Sequence, residues 1–228
     1  VPDITLRAVG TAATAPTTSV TVSEPSGTAD NDVLIAVIVD RAVSAVNSTA
    51  PTGWTAVAVA QTGSYGRMQV FMGVKGQNSL TGTSWQWTGL QTRCMGVIVG
   101  YYNVDTTTYL DTDVSARANL TTPTLATGAA SITTATANAM IVAVFTTANG
   151  ASTWSSESAS EVSLTERLDS AYSTYMSIAI ADGLKATAGT TGSSSATMGT
   201  EQSNHGALIA LRPGATLPPL SMMMGIGT

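Results

Sequence analysis

One histidine, His205, and one cysteine, Cys94, are the side chains best suited by type to proton transfer or nucleophilic attack near neutral pH. His205 stands at the mouth of an apolar run, Gly206-Ala207-Leu208-Ile209-Ala210-Leu211. That setting predicts a half-buried polar residue near a strand end rather than a general base. Serines are plentiful, so a Ser/His/Asp set can be assembled on paper. No Gly-x-Ser-x-Gly elbow is present to expose a serine nucleophile. Cys94 has a single cation beside it in sequence, Arg93, and opens an apolar stretch. A buried, inert thiol is the expectation. With no second cysteine there is no intrachain disulfide and no cysteine cluster for a metal.

Carboxylates occur two apart at Asp30/Asp32 and at Asp111/Asp113. Glycoside hydrolysis needs two carboxylates roughly 5 to 10 Å apart across a cleft. A calcium loop needs a longer run of oxygen ligands than either pair offers. Both pairs read as turn residues. No catalytic residue, metal ligand or cofactor is therefore assigned. The tryptophans bear on binding instead. Trp85 and Trp87 share one face of a strand, because side chains in a strand repeat every second residue. Trp54 and one of that pair are expected in the core. Trp154, set among serines, is the candidate for an exposed ring that stacks on a glycan.

The elements that would position these residues are strands. Val33 to Val39, the stretch Cys94 to Asp105 with its closing polar turn, and Met140 to Phe145 show the pattern of strands covered on both faces. Alternating stretches at 67–74, 84–88, 162–168 and 175–182 read as half-buried strands, punctuated by Gly, Pro and Asn turns. Nothing shows helical periodicity over three turns. The fold class expected is all-β, an antiparallel jelly-roll or Greek-key β-sandwich. Residues 106–130 read as a long connection with a short edge strand near Val114. No tandem repeat of fixed period is visible.

Composition narrows the function classes. Charged residues make up only 10% of the chain, the net charge is −5, and the nine Lys and Arg are scattered singly. A nucleic-acid partner is not expected. No apolar run reaches the length of a membrane helix, so no membrane partner is expected either. The first residues show no basic segment leading into an apolar core, so no signal peptide is expected in this form. The β-sandwich is assigned to 1–213 and a C-terminal arm to 214–228. The arm follows Arg212-Pro213-Gly214, carries Pro218-Pro219, and is apolar without periodicity at Leu217, Leu220, Met222, Met223, Met224 and Ile226. Exposed apolar segments of this kind call for a cover. The arm folds back on its own domain, docks on a neighbouring subunit or partner, or stays disordered.

One order of features joins these stretches. It runs Gly27-Thr28-Ala29-Asp30-Asn31-Asp32-Val33, Gly53-Trp54-Thr55, Trp85-Gln86-Trp87 and Gly100-Tyr101-Tyr102-Asn103-Val104-Asp105. It ends with Thr165-Glu166-Arg167, Ala181-Asp182 and His205 through Pro213. In this order the chain resembles a lectin-like jelly-roll domain of bacteriophage virion proteins and some bacterial surface proteins. The resemblance covers roughly residues 4–213. It implies a non-enzymatic structural or adhesive module at a virion surface. The partners it implies are the major capsid protein or neighbouring copies in a homo-oligomer. The expected role is that of a capsid decoration protein, with a carbohydrate-binding adhesin as the alternative.

Overall fold

Val33–Asp40 (β4), Cys94–Tyr102 (β8) and Ala139–Thr147 (β11) are the three strands predicted to be covered on both faces, and each is buried along essentially its whole length. The computed structural model describes residues 2–41, 47–61, 66–148, 150 and 152–215. Alternation explains the burial. Val33, Ile35, Val37 and Val39 face a central core, while Leu34, Ala36 and Ile38 face a second, outer one. In β11, Met140, Val142 and Val144 enter the same central core, and Ile141, Ala143 and Phe145 face a third. Full burial of each Val, Leu, Ile, Met or Phe side chain among them stabilises by roughly 1.5–3 kcal/mol. These strands tolerate no polar face because they have no solvent face.

All the named elements are strands. The first large sheet runs β1 (Thr5–Val9), β8, β4, β6 (Arg67–Val74), β5 (Thr55–Gln61), with β2 (Ala13–Ala15) also on β8. A small sheet of β3 (Val20–Ser23) and β7 (Ser84–Trp87) covers its outer face. The antiparallel pairs are nested in sequence: β1 with β8, β3 with β7, β4 with β6. This nesting is the winding of a jelly roll. Trp54, Trp85, Trp87 and Phe71 fill the outer core, with Trp54 edge-on to both Trp85 and Trp87 at 5.3 and 5.2 Å. Both members of the Trp85/Trp87 pair are thus core, not one of them.

The second large sheet runs β12 (Trp154–Ala159), β16 (Ser194–Leu211), β11, β14 (Met176–Lys185), β13 (Thr165–Tyr172), with β9 (Ser115–Thr127) also on β16. A two-stranded piece, β10 (Thr133–Thr134) with β15 (Gly189–Thr190), lies beside it. Residues 106–130 are therefore not mainly a connection. They supply a 13-residue strand, whose place at the sheet edge accommodates Pro123. β6 also departs from expectation, since both its faces are buried. Its outer face lies under the tryptophans and its inner face in the central core.

The single sandwich expected from the sequence is a doubled one. The two large sheets have matching strand orders and matching registers. Val33 pairs with Val74 and Tyr101 in the first, and Met140 with Leu184 and Leu211 in the second. The bulge between Ala56 and Ala58 recurs between Glu166 and Leu168. Asn31 and Asn138, which lead into β4 and β11, both take positive φ, 72° and 60°. Glycine recurs where backbone crosses closely. A Cβ on Gly73 would meet the Gly53 carbonyl oxygen at 2.7 Å, and one on Gly183 would collide with the Ser163 carbonyl oxygen. Each half is one jelly-roll winding, and the halves pack large sheet to large sheet through the central core.

Candidate functional site

Trp154 is not an exposed stacking residue. It is 4% exposed, its ring lies 6.0 Å from that of Phe145, and its Nε1–H donates to Ser177 Oγ at 3.0 Å. Its serine-rich surroundings form β12, paired with the first part of β16, and the ring points into the third core beside Phe145. Sequence composition marked the segment as a loop, whereas every second residue of an outer strand faces inward.

His205 is fully buried in the middle of β16 rather than half-buried at a strand end. Nδ1 lies 3.1 Å from Thr146 Oγ1 and Nε2 lies 3.2 Å from the Gly66 carbonyl oxygen. Burial outweighs these hydrogen bonds and lowers the ring's pKa to about 4. Cys94 is buried, and desolvation together with the nearby Asp40 charge pushes its thiol up to about 12. The thiol therefore stays unlabelled by a disulfide reagent such as dithionitrobenzoate at pH 8 in the native protein, and one equivalent reacts after unfolding. Labelling of the native chain on the mixing timescale would contradict this placement.

The paired aspartates are structural. Asp111 is 5% exposed and accepts from the Ala135 and Thr136 amides at 2.6 and 3.2 Å, with Arg212 Nε 3.5 Å away. Asp113 is exposed. Asp32 is buried and paired with Arg7 at 2.6 Å, and it accepts from the Ala29 amide, while Asp30 stays at the surface. A buried bidentate pair joins Asp40 and Arg67, at 3.0 and 2.8 Å. Among the described residues, no three His, Cys, Asp or Glu side chains converge in a way that could hold a metal ion.

A different group of polar side chains meets at an opening. A cleft of 490 Å³ lies between β1 and β13, with Thr5 and Leu6 on one wall, Thr165, Arg167 and Leu184 on the other, and Asp182 at its floor. Asp182 is 1% exposed. Its Oδ1 accepts from Arg167 Nε and Nη2, both at 2.8 Å, and its Oδ2 accepts from the Tyr101 hydroxyl at 2.9 Å. Tyr101 comes from the first half and Asp182 from the second, so this bond ties the halves together. Burial, then the Asp182 charge, raises the Tyr101 pKa well above its ordinary value and keeps it a neutral donor. Sequence reasoning passed over these three residues as a site. The sign was there, because Asp182 continues the buried face of Met176, Ile178 and Ile180.

The arm residues Leu217, Leu220, Met222, Met223, Met224 and Ile226 lie outside the described residues. The point from which they depart is fixed. Val104 bridges Pro213, the Asp105 amide donates to the Arg212 carbonyl at 2.9 Å, and the Gly214 amide donates to Asn103 at 2.8 Å. Asn103 Nδ2 in turn donates to the Asp3 carbonyl at 2.9 Å. A second cavity, of 550 Å³, lies between residues 104–108 and Gly214–Ala215. Comparison with protein-family models, with curated proteins and with solved structures gives no match.

Proposed function

We propose that this chain is a non-enzymatic structural protein of a bacteriophage virion, carried on the capsid surface as a decoration protein and joined to it through its C-terminal arm. The observation that carries the reading is the departure point of the arm. A doubly covered β body ends in backbone hydrogen bonds at Asn103, Asp105, Arg212 and Gly214, and beyond them lies a segment rich in Leu, Met and Ile. A fixed root followed by an apolar segment suits docking on a partner surface. Pro218-Pro219 favours an extended backbone, and methionines adapt to irregular grooves. Burial of ~400 Å² of apolar surface at ~25 cal/mol per Å² gives a gross ~10 kcal/mol before ordering costs. That magnitude suffices for a main anchor.

The burial of the reactive side chains is consistent with a scaffold role. His205 and Cys94 both serve as packing groups here. The motif order that resembles virion jelly rolls and the low charge density support the same reading. The partners are the major capsid protein and neighbouring copies of the chain. An adhesin built on Trp154 has no exposed ring to use.

The test is co-sedimentation with purified capsid shells that lack this protein. The full chain pellets with the shells, and a chain ending at Gly214 stays in the supernatant while keeping its β-sheet circular dichroism. Equal pelleting of the two, or no pelleting of the full chain, overturns the reading.

A further inference from the structure

We infer that the seam between β1 and β13 is a binding site for a neutral polyhydroxylated ligand such as a sugar ring, received by Arg167 and the hydroxyls around it. The inference rests on comparing the two seams that the doubled fold creates, and it is independent of how the protein attaches to a particle.

Where the first half's edge strand β5 meets β9 of the second, the two strands run in direct contact. The corresponding seam, between β13 and β1, holds the 490 Å³ cleft instead. Register identifies the equivalent residues. Thr55 pairs with Met72 as Thr165 pairs with Asp182, so Met72 corresponds to Asp182. Val57 and Arg167 are the matching bulge residues, and Leu211 corresponds to Tyr101. At the closed seam these three positions are Val57, Met72 and Leu211, all packed on the central core. At the open seam they are Arg167, Asp182 and Tyr101, joined by hydrogen bonds.

The fold itself thus shows that three apolar residues satisfy these positions. The Asp182 carboxylate is buried while Arg167 is one-third exposed, and burying a paired carboxylate gives little stability advantage over well-packed apolar residues of similar volume. The polar set at the open seam needs a reason beyond folding, and a ligand supplies one. Its volume lies within the roughly 300–1,000 Å³ of small-molecule sites.

Charge decides the ligand class. Arg167 is neutralised by Asp182, to which it commits Nε and Nη2. The other ionisable residue lining the cleft is Asp3. A carboxylate or phosphate would meet a neutral pair and a like charge. A sugar finds acceptors and donors in the hydroxyls of Thr5, Ser163 and Thr165, and a donor in the remaining Nη1 of a side chain 34% exposed. Leu6 and Leu184 provide apolar wall for its C–H face.

The test is ¹⁵N–¹H NMR of the full chain titrated with glucose, galactose, mannose and N-acetylglucosamine, with glucuronate as the anionic comparison. At least one neutral sugar shifts the Arg167 Nε–H and the Thr165 and Gly183 amide signals saturably, with a dissociation constant of about 10 mM or tighter. The variant Tyr101→Leu/Arg167→Val/Asp182→Met, which copies the closed seam, loses the shifts. Thr165→Val, on an exposed edge position, weakens binding several-fold and answers the same question should the triple variant not fold. Absence of saturable shifts with all four sugars overturns the inference. So do tighter binding of glucuronate than of glucose, unchanged affinity in Thr165→Val, and binding gained only after deletion of residues 216–228.

Discussion

Replacing Arg67 with methionine lowers the unfolding free energy by about 3–5 kcal/mol, the loss expected when one partner of a buried ion pair is removed. Arg67 and Asp40 are each 1% exposed and face each other across β4 and β6 through two charge-assisted hydrogen bonds. Asp40 also accepts from the Gln91 amide at 2.8 Å. Without the guanidinium, that carboxylate stays buried with too little compensation. The double variant Asp40→Leu/Arg67→Met recovers much of the loss, because it removes the stranded charge as well. Urea unfolding of the parent, both single variants and the double variant gives the coupling directly. Additive single effects would contradict this account. The second half shows that the position does not need an ion pair. Thr147 and Ser177 occupy the equivalent register and join by hydroxyls at 3.0 Å.

Acidification weakens the fold through His205. Its pKa in the folded protein is about 4, below the ordinary 6.5. Between those values the unfolded chain binds a proton that the folded chain does not, so stability falls as pH falls. At 1.36 kcal/mol per pKa unit the loss on going from pH 7 to pH 4 is on the order of 3 kcal/mol. The first half has Met95 at the equivalent register position, paired with Val39 as His205 pairs with Thr146. In His205→Met, urea unfolding across this pH range retains only the gentler slope contributed by carboxylates. The comparison concerns slopes, because methionine also leaves the Gly66 carbonyl and the Thr146 hydroxyl without the imidazole. An unchanged slope would show that the ring is not the group that titrates.

The fold class was legible because strand burial is written in local pattern. Continuous apolar runs marked β4, β8 and β11, and turn residues bounded them. The duplication was not legible. Equivalent positions keep size and burial rather than identity, as with Val33-Leu34-Ile35-Ala36-Val37 and Met140-Ile141-Val142-Ala143-Val144. The separation between equivalents also changes along the chain, from Val33/Met140 to Val74/Leu184, so no fixed period exists to be found. Trp154 was misplaced for a related reason. A strand such as β12 presents serines to water and reads as a loop, yet it delivers one ring to the core. The seam residues escaped because their meaning is relational. Arg167 and Asp182 stand out only beside Val57 and Met72, and register alone makes that comparison.

Hydrogen–deuterium exchange of the full chain, free and bound to capsid shells, tests the central claim of attachment through the arm. Slowed exchange on binding is expected at 216–228 and around its root at residues 103–108 and 212–215. The outer strands β3, β7 and β12 are expected to exchange as in the free protein. Slowing confined to those outer strands, with the arm unchanged, would contradict the account.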